Sequence, residues 1–125
     1  MFYYPYSIYC TCLRNIKKGA PYVSRGCWKD DIPRAITDID ADIPSANGHY
    51  KRRQHPEQNC LDAAKARGYK IFALQDGGQC FGSDNLNSYK TYGGSTACSD
   101  GKGGPMANDV YEIRAGMLLI KFFEH

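Results

Sequence analysis

Six cysteines in 125 residues are the feature that most restricts how this chain can fold. They stand at Cys10, Cys12, Cys27, Cys60, Cys80 and Cys98. An even count in a small, Gly-rich chain points to a disulfide framework and an oxidising compartment. Structural zinc instead takes its ligands from close Cys-x2-Cys or His-x3-5-His pairs. Here the only close cysteines are in Cys10-Thr11-Cys12, and His49 and His55 have no Cys pair beside them. The spacing therefore favours disulfides, and no metal or other cofactor is expected. Six cysteines allow 15 pairings and four allow three, so spacing alone leaves the connectivity open. A single domain this small buries a modest share of its surface, and covalent bridges offset that.

Hydrophobic residues at 42% and charged residues at 23% are globular values and exclude a disordered chain. The net charge is +3, and the basic residues are scattered apart from Lys51-Arg52-Arg53, so nucleic acid is not an expected partner. No apolar run approaches the roughly 20 residues of a membrane span. The stretch from Gly116 to Phe123 is apolar but short. Residues 1–19 read as a poorly ordered N-terminal extension, 20–113 as the domain, and 114–125 as an apolar tail or edge strand. Residues 1–9 are aromatic, with Pro5, and lack the basic start and leucine-rich centre of a secretory leader. The expectation is a piece of a longer secreted protein or an incomplete gene model.

Local patterns give an order of elements. Tyr22-Val23-Ser24-Arg25-Gly26-Cys27-Trp28 reads as a strand, and Arg34-Ala35-Ile36 as a short one. Residues 38–48 form a polar loop containing Pro44, Asn47 and Gly48. Residues 56–67 form the best helix. Pro56 suits its first position, Glu57 its positive end, Lys65 and Arg67 its negative end, and Gly68 its left-handed stop. Cys60, Leu61 and Ala64 share its apolar face, with Ala63 beside them. Tyr69 to Gln75 reads as a strand, Asp76-Gly77-Gly78 as a hairpin turn, and Gln79-Cys80-Phe81 as the returning strand. A further short element covers 86–92, a Gly-rich loop 99–104, and a strand Val110-Tyr111-Glu112-Ile113.

Gly26-Cys27-Trp28-Lys29-Asp30 followed by Arg34-Ala35 resembles the opening of the WSC domain, an extracellular module of fungal cell-wall stress sensors. The helix with Cys60, then Gly68-Tyr69, Phe72-Ala73-Leu74-Gln75 and Cys80, resembles the core of that family. The run from Tyr92-Gly93 through Cys98 to Asp109-Val110-Tyr111 is similar to a WSC-like module repeated in secreted proteins of marine invertebrates, in which a Trp usually stands at the place of Met106. The resemblance covers residues 26–113 and includes four of the cysteines. It implies an α+β, PAN/apple-like fold with one main helix on a small, curved, mostly antiparallel sheet. It also implies the pairings Cys60 with Cys80 and Cys27 with Cys98, leaving Cys10 and Cys12 outside the pattern.

Candidate chemistry is sparse. Asp38, Asp40 and Asp42 begin like a calcium loop, but Ile43 and His49 stand where such a loop needs Gly and Glu, so a solvated acidic loop is the preferred reading. There is no Gly-x-Ser-x-Gly nucleophile turn, and oxidised cysteines cannot supply a thiolate. Gly101-Lys102-Gly103-Gly104 lacks the spacing of a phosphate loop. The chain reads as a non-catalytic binding module. Carbohydrate in matrix, mucus or cell wall is the favoured ligand, by resemblance more than by residues, and an extracellular protein partner the alternative. For a sugar, flat aromatic faces and planar amides are needed. Tyr89 and Tyr92 are the candidate exposed platform, with Gln75, Gln79 and Asn108 as candidate amides. Trp28, beside Cys27 in a strand, is expected in the core.

Overall fold

The middle of the fold is a strand with no solvent face. In the computed structural model, which describes residues 20–114, all five residues of β3 (Ile71–Gln75) are buried. Such a strand must be paired on both edges and covered on both faces. It pairs antiparallel with β4 (Gln79–Ser83) on one edge and with β5 (Ala107–Ile113) on the other. β1 (Tyr22–Lys29) lies outside β5, and β2 (Thr37–Asp38) lies outside β4. The result is a five-stranded antiparallel sheet in the order β1-β5-β3-β4-β2. The short strand expected at Arg34-Ala35-Ile36 lies further on, at Thr37–Asp38. Ala35 and Ile36 are buried, and their side chains serve the core while the backbone bends.

Register decides which residues share a face, because side chains alternate along a strand. Leu74 stands opposite Cys80, and that face is covered by the helix α1 (Pro56–Ala66). The helix turns Pro56, Cys60, Leu61, Ala63 and Ala64 inward, as the apolar periodicity requires. Gly68 terminates it with φ 74°. On the opposite face Ala73 faces Phe81 and Val110, and these pack with Ile36, Ile71 and Tyr89 into a second cluster edged by Trp28. One helix on an antiparallel sheet, with a core on each face, defines an α+β fold.

Two disulfides close this architecture. Cys60–Cys80 joins the helix to β4, with both residues fully buried. Cys27–Cys98 joins β1 to the segment after Tyr92. That segment also meets β1 through the backbone, with Lys29 N–H donating to Gly93 O at 2.9 Å and Ser95 N–H to Cys27 O at 3.1 Å. The bridges span 20 and 71 residues, which in the loop-entropy account contribute about 3 and about 4 kcal/mol. Both pairings match those implied by the resemblance.

The β3–β4 connection turns through Asp76 (φ 52°) and Gly77 (φ 102°), two consecutive positive φ values that fit a twisted hairpin. The Gly-rich loop has a packing role. A Cβ on Gly103 would lie 2.2 Å from Leu74 O, and one on Gly104 2.0 Å from Ala97 O. This loop therefore lies directly on backbone, with Asp76 N–H donating to Gly104 O at 3.1 Å and Gly77 N–H to Lys102 O at 2.9 Å. Gly104→Ala is expected to lose about 3 kcal/mol or more in urea unfolding, as forced overpacking against backbone does. Gly94→Ala, whose Cβ would meet only Cys27 O at 4.0 Å, should stay within about 1 kcal/mol. Equal effects at the two positions would contradict this packing.

Candidate functional site

The residues singled out for ligand binding fall into three groups. Gln75, Gln79 and Asn108 form one row across three strands, because Gln75 is the register partner of both others. They share the sheet face opposite the helix, but only the row's edge is open. Gln75 and Asn108 are buried, while Gln79 is partly exposed and its Nε2 donates to Asp38. Tyr89 corrects the expected platform. It is 6% exposed, with its ring edge-on to Trp28 at 5.2 Å between centroids. Its place on a 3-10 turn, Ser88–Lys90, directs the ring into the core and leaves Tyr92 without a partner platform. Tyr92 is partly buried, and its hydroxyl donates to Pro33 O.

A residue outside the expected site organises this region. Asp30 is 2% exposed and sits where β1 gives way to the following turn. Its Oδ1 accepts from the N–H groups of Asp31 and Ala35, both at 2.9 Å. Its Oδ2 accepts from Gln75 Nε2 and Arg34 Nη1, also both at 2.9 Å. Gln75 Nε2 donates further to Asn108 Oδ1 at 2.9 Å. The amides expected to meet sugar hydroxyls are thus engaged by a buried carboxylate. Asn108 Nδ2 is buried and has no hydrogen-bond partner among the described residues. In the sequence Asp30 stands in the Gly26–Asp30 stretch that resembles the WSC opening, and nothing in its local pattern marks it as buried.

From this anchor three side chains reach the surface. Arg34 is held through Nη1, which also approaches Gln75 Oε1 at 3.3 Å and Met106 Sδ at 3.5 Å. Met106 is 40% exposed at φ 51°, and its carbonyl accepts the Asp30 N–H at 2.9 Å. Ile32, in the turn capped by Asp31, is 69% exposed. Arg34 and Met106 thus touch, and Ile32 is exposed on the same Asp30-held turn as Arg34; these three make up the exposed edge of the turn and the neighbouring loop.

The acidic loop does not converge on a common point. Asp40 forms a two-toothed pair with Arg53, at 2.7 Å from Nη1 and 3.2 Å from Nη2, and also accepts Cys80 N–H at 2.9 Å. Asp42 pairs with Arg67 at 2.6 Å, and Asp38 accepts from Gln79. Among the described residues no cluster of three His, Cys, Asp or Glu could hold a metal. The basic triplet is likewise divided, since Arg53 is buried while Lys51 reaches Asp76 at 3.4 Å. Twelve of the 16 Lys and Arg and twelve of the 13 Asp and Glu fall within 20–114, so the described unit has no formal net charge. No helix among the described residues is long and apolar enough to cross a membrane, and the apolar stretch 116–123 lies outside them.

Compared with known proteins, the chain matches no family model and no curated sequence.

Burial pushes the Asp30 carboxyl up, but the hydrogen bonds from Ala35, Gln75, Arg34 and Asp31 together hold it below its ordinary 3.8. Asp40 is lowered in the same way, burial being outweighed by Arg53 and the Cys80 N–H. A carboxyl lowered in the folded state stabilises fully above its unfolded pKa and loses that effect as pH falls through its folded value. Stability should therefore be flat near neutrality and fall below about pH 4. Asp30→Asn is expected to lose about 2–4 kcal/mol at pH 7. The deficit relative to the parent should narrow at pH 3, measured by urea unfolding. A pH-independent deficit would show that Asp30 acts by shape alone.

Proposed function

We propose that this chain is a non-catalytic binding module of WSC/PAN-like type, acting in an extracellular, oxidising setting, and that its ligand is a protein surface. The oxidising setting is supported by the two disulfides. The non-catalytic reading is supported by how the clustered ionisable groups are used. Asp30 with Arg34 and Asp40 with Arg53 neutralise each other within the fold. The observation that carries the choice of ligand is the edge of Ile32, Arg34 and Met106. Its side chains are of kinds that supply contact area at the centres of protein interfaces, and its backbone is fixed before any partner arrives. Carbohydrate, the class favoured from sequence, has less support, because Tyr89, Gln75 and Asn108 are buried and engaged.

The test separates the two classes directly. The biotinylated chain is applied to an immobilised extracellular-matrix fraction, either untreated, protease-treated or oxidised with periodate to destroy glycans. Binding is expected to survive periodate, to vanish after protease, and to weaken about tenfold or more in the double variant Ile32→Ser, Met106→Ser. Binding that survives protease and is lost with periodate returns the ligand to carbohydrate.

A further inference from the structure

The two disulfides occupy opposite environments. Cys60 and Cys80 are both fully buried between helix and sheet. Cys27 and Cys98 are both partly exposed. Against Cys27 lies an open surface depression of about 500 Å³, lined also by Lys29, Gly94, Ser95 and Thr96. The Lys29 ammonium has no ion-pair partner among the described residues. The depression is thus lined by one half of a disulfide, by a cation without an ion-pair partner among the described residues, and by two hydroxyl-bearing residues.

We infer that this depression is an exchange site at which the Cys27–Cys98 disulfide reacts with a small anionic thiol of the tripeptide, glutathione class. Exchange requires that a thiolate reach a sulfur, so access decides which bridge reacts. The thiolate attacks Cys27 Sγ, the residue that lines the depression. The Cys27–Cys98 bond breaks, Cys98 leaves as a thiolate and takes a proton from solvent, and Cys27 carries a mixed disulfide. A second thiol displaces Cys27, leaving two protein thiols and one oxidised thiol dimer. The protein gains two electrons and the two small thiols lose them. Lys29, with Ser95 and Thr96, holds the carboxylates of the incoming thiol. The bridge that opens is the one tying β1 to the 93–98 segment. The helix-to-sheet bridge stays closed. None of this depends on what the edge of Ile32, Arg34 and Met106 binds.

The oxidised full chain is first alkylated to block any free thiol at Cys10 and Cys12. It is then incubated with reduced glutathione under native conditions, quenched with a second alkylating agent and mapped by mass. The glutathione adduct is expected on Cys27 with Cys98 newly alkylated, while Cys60–Cys80 remains intact and far-ultraviolet circular dichroism is unchanged. Lys29→Gln should slow the reaction with glutathione about two- to fivefold, the size of an exposed ion pair, and leave the rate with uncharged 2-mercaptoethanol unaltered. Adducts on Cys60 or Cys80, both bridges opening together with loss of structure, or an equal Lys29→Gln effect on the two thiols would each overturn the proposal.

Discussion

A carboxylate buried at the end of the first strand must either be protonated or be surrounded by donors. Asp30 takes the second course, with two backbone N–H groups, an amide and a guanidinium filling both of its oxygens. Those donors come from the following turn and from the central strand, so satisfying the charge fixes where the 30–35 turn lies against the sheet. Asn108 extends the same network to β5 through Gln75. The backbone of Asp30 adds Met106, whose loop precedes β5. One desolvated charge therefore holds together turn, central strand and last strand on the face that the helix leaves uncovered. Removing any donor would leave part of a buried charge unmet, which gives the arrangement its directionality.

The covalent and ionic devices divide the remaining work by location. Cys60–Cys80 binds the helix face, where Tyr69 and Ile39 crowd over Gly82 and leave no room for a side chain. The Asp40–Arg53 pair fastens the 3-10 turns at 40–42 and 50–52 to the β3–β4 hairpin, since Asp40 accepts Cys80 N–H and Arg53 donates to Gly78 O. Gly78 permits that approach, because a Cβ there would lie 2.6 Å from Tyr50 O. A loop with little regular structure is thereby held by ion pairs and close backbone contact rather than by a larger apolar core.

Much of the frame was legible because it follows from local rules. Pro56, Glu57 and Gly68 mark helix ends by backbone geometry and dipole, and Asp76-Gly77 marks a turn by its need for positive φ. Both signals lie within a few residues and survive packing. The site was less legible because burial is a long-range outcome. Tyr89 and Tyr92 share a polar stretch, yet only the first turns inward, where Trp28 and the 73–81–110 row leave space for a ring. Asp30 and Arg53 were indistinguishable in sequence from solvated charges, since their partners Gln75 and Asp40 stand 45 and 13 residues away. Asp30 and Arg34 both fall in the stretch that resembles the WSC opening, but their spacing of four carries meaning on a helix and none in a turn, so the sequence does not show that they pair.

The fate of the amide row follows from sheet order. Gln75 ends the central strand, and its register partners Gln79 and Asn108 stand on the strands to either side. A polar row at the sheet's edge would remain open to ligand. In the centre it is covered by the chain that connects the outer strands, and here that chain is the 30–36 turn. Once covered, the amides must be satisfied from within, and a carboxylate that accepts from Gln75 while Gln75 donates onward to Asn108 does so. What is left open to a ligand is then what the covering turn presents outward, which is where the proposed function puts recognition. In this chain the turn presents Ile32 and Arg34, and the neighbouring loop adds Met106. In the proposed reading the polar network beneath is the support of a binding edge rather than the binding site itself.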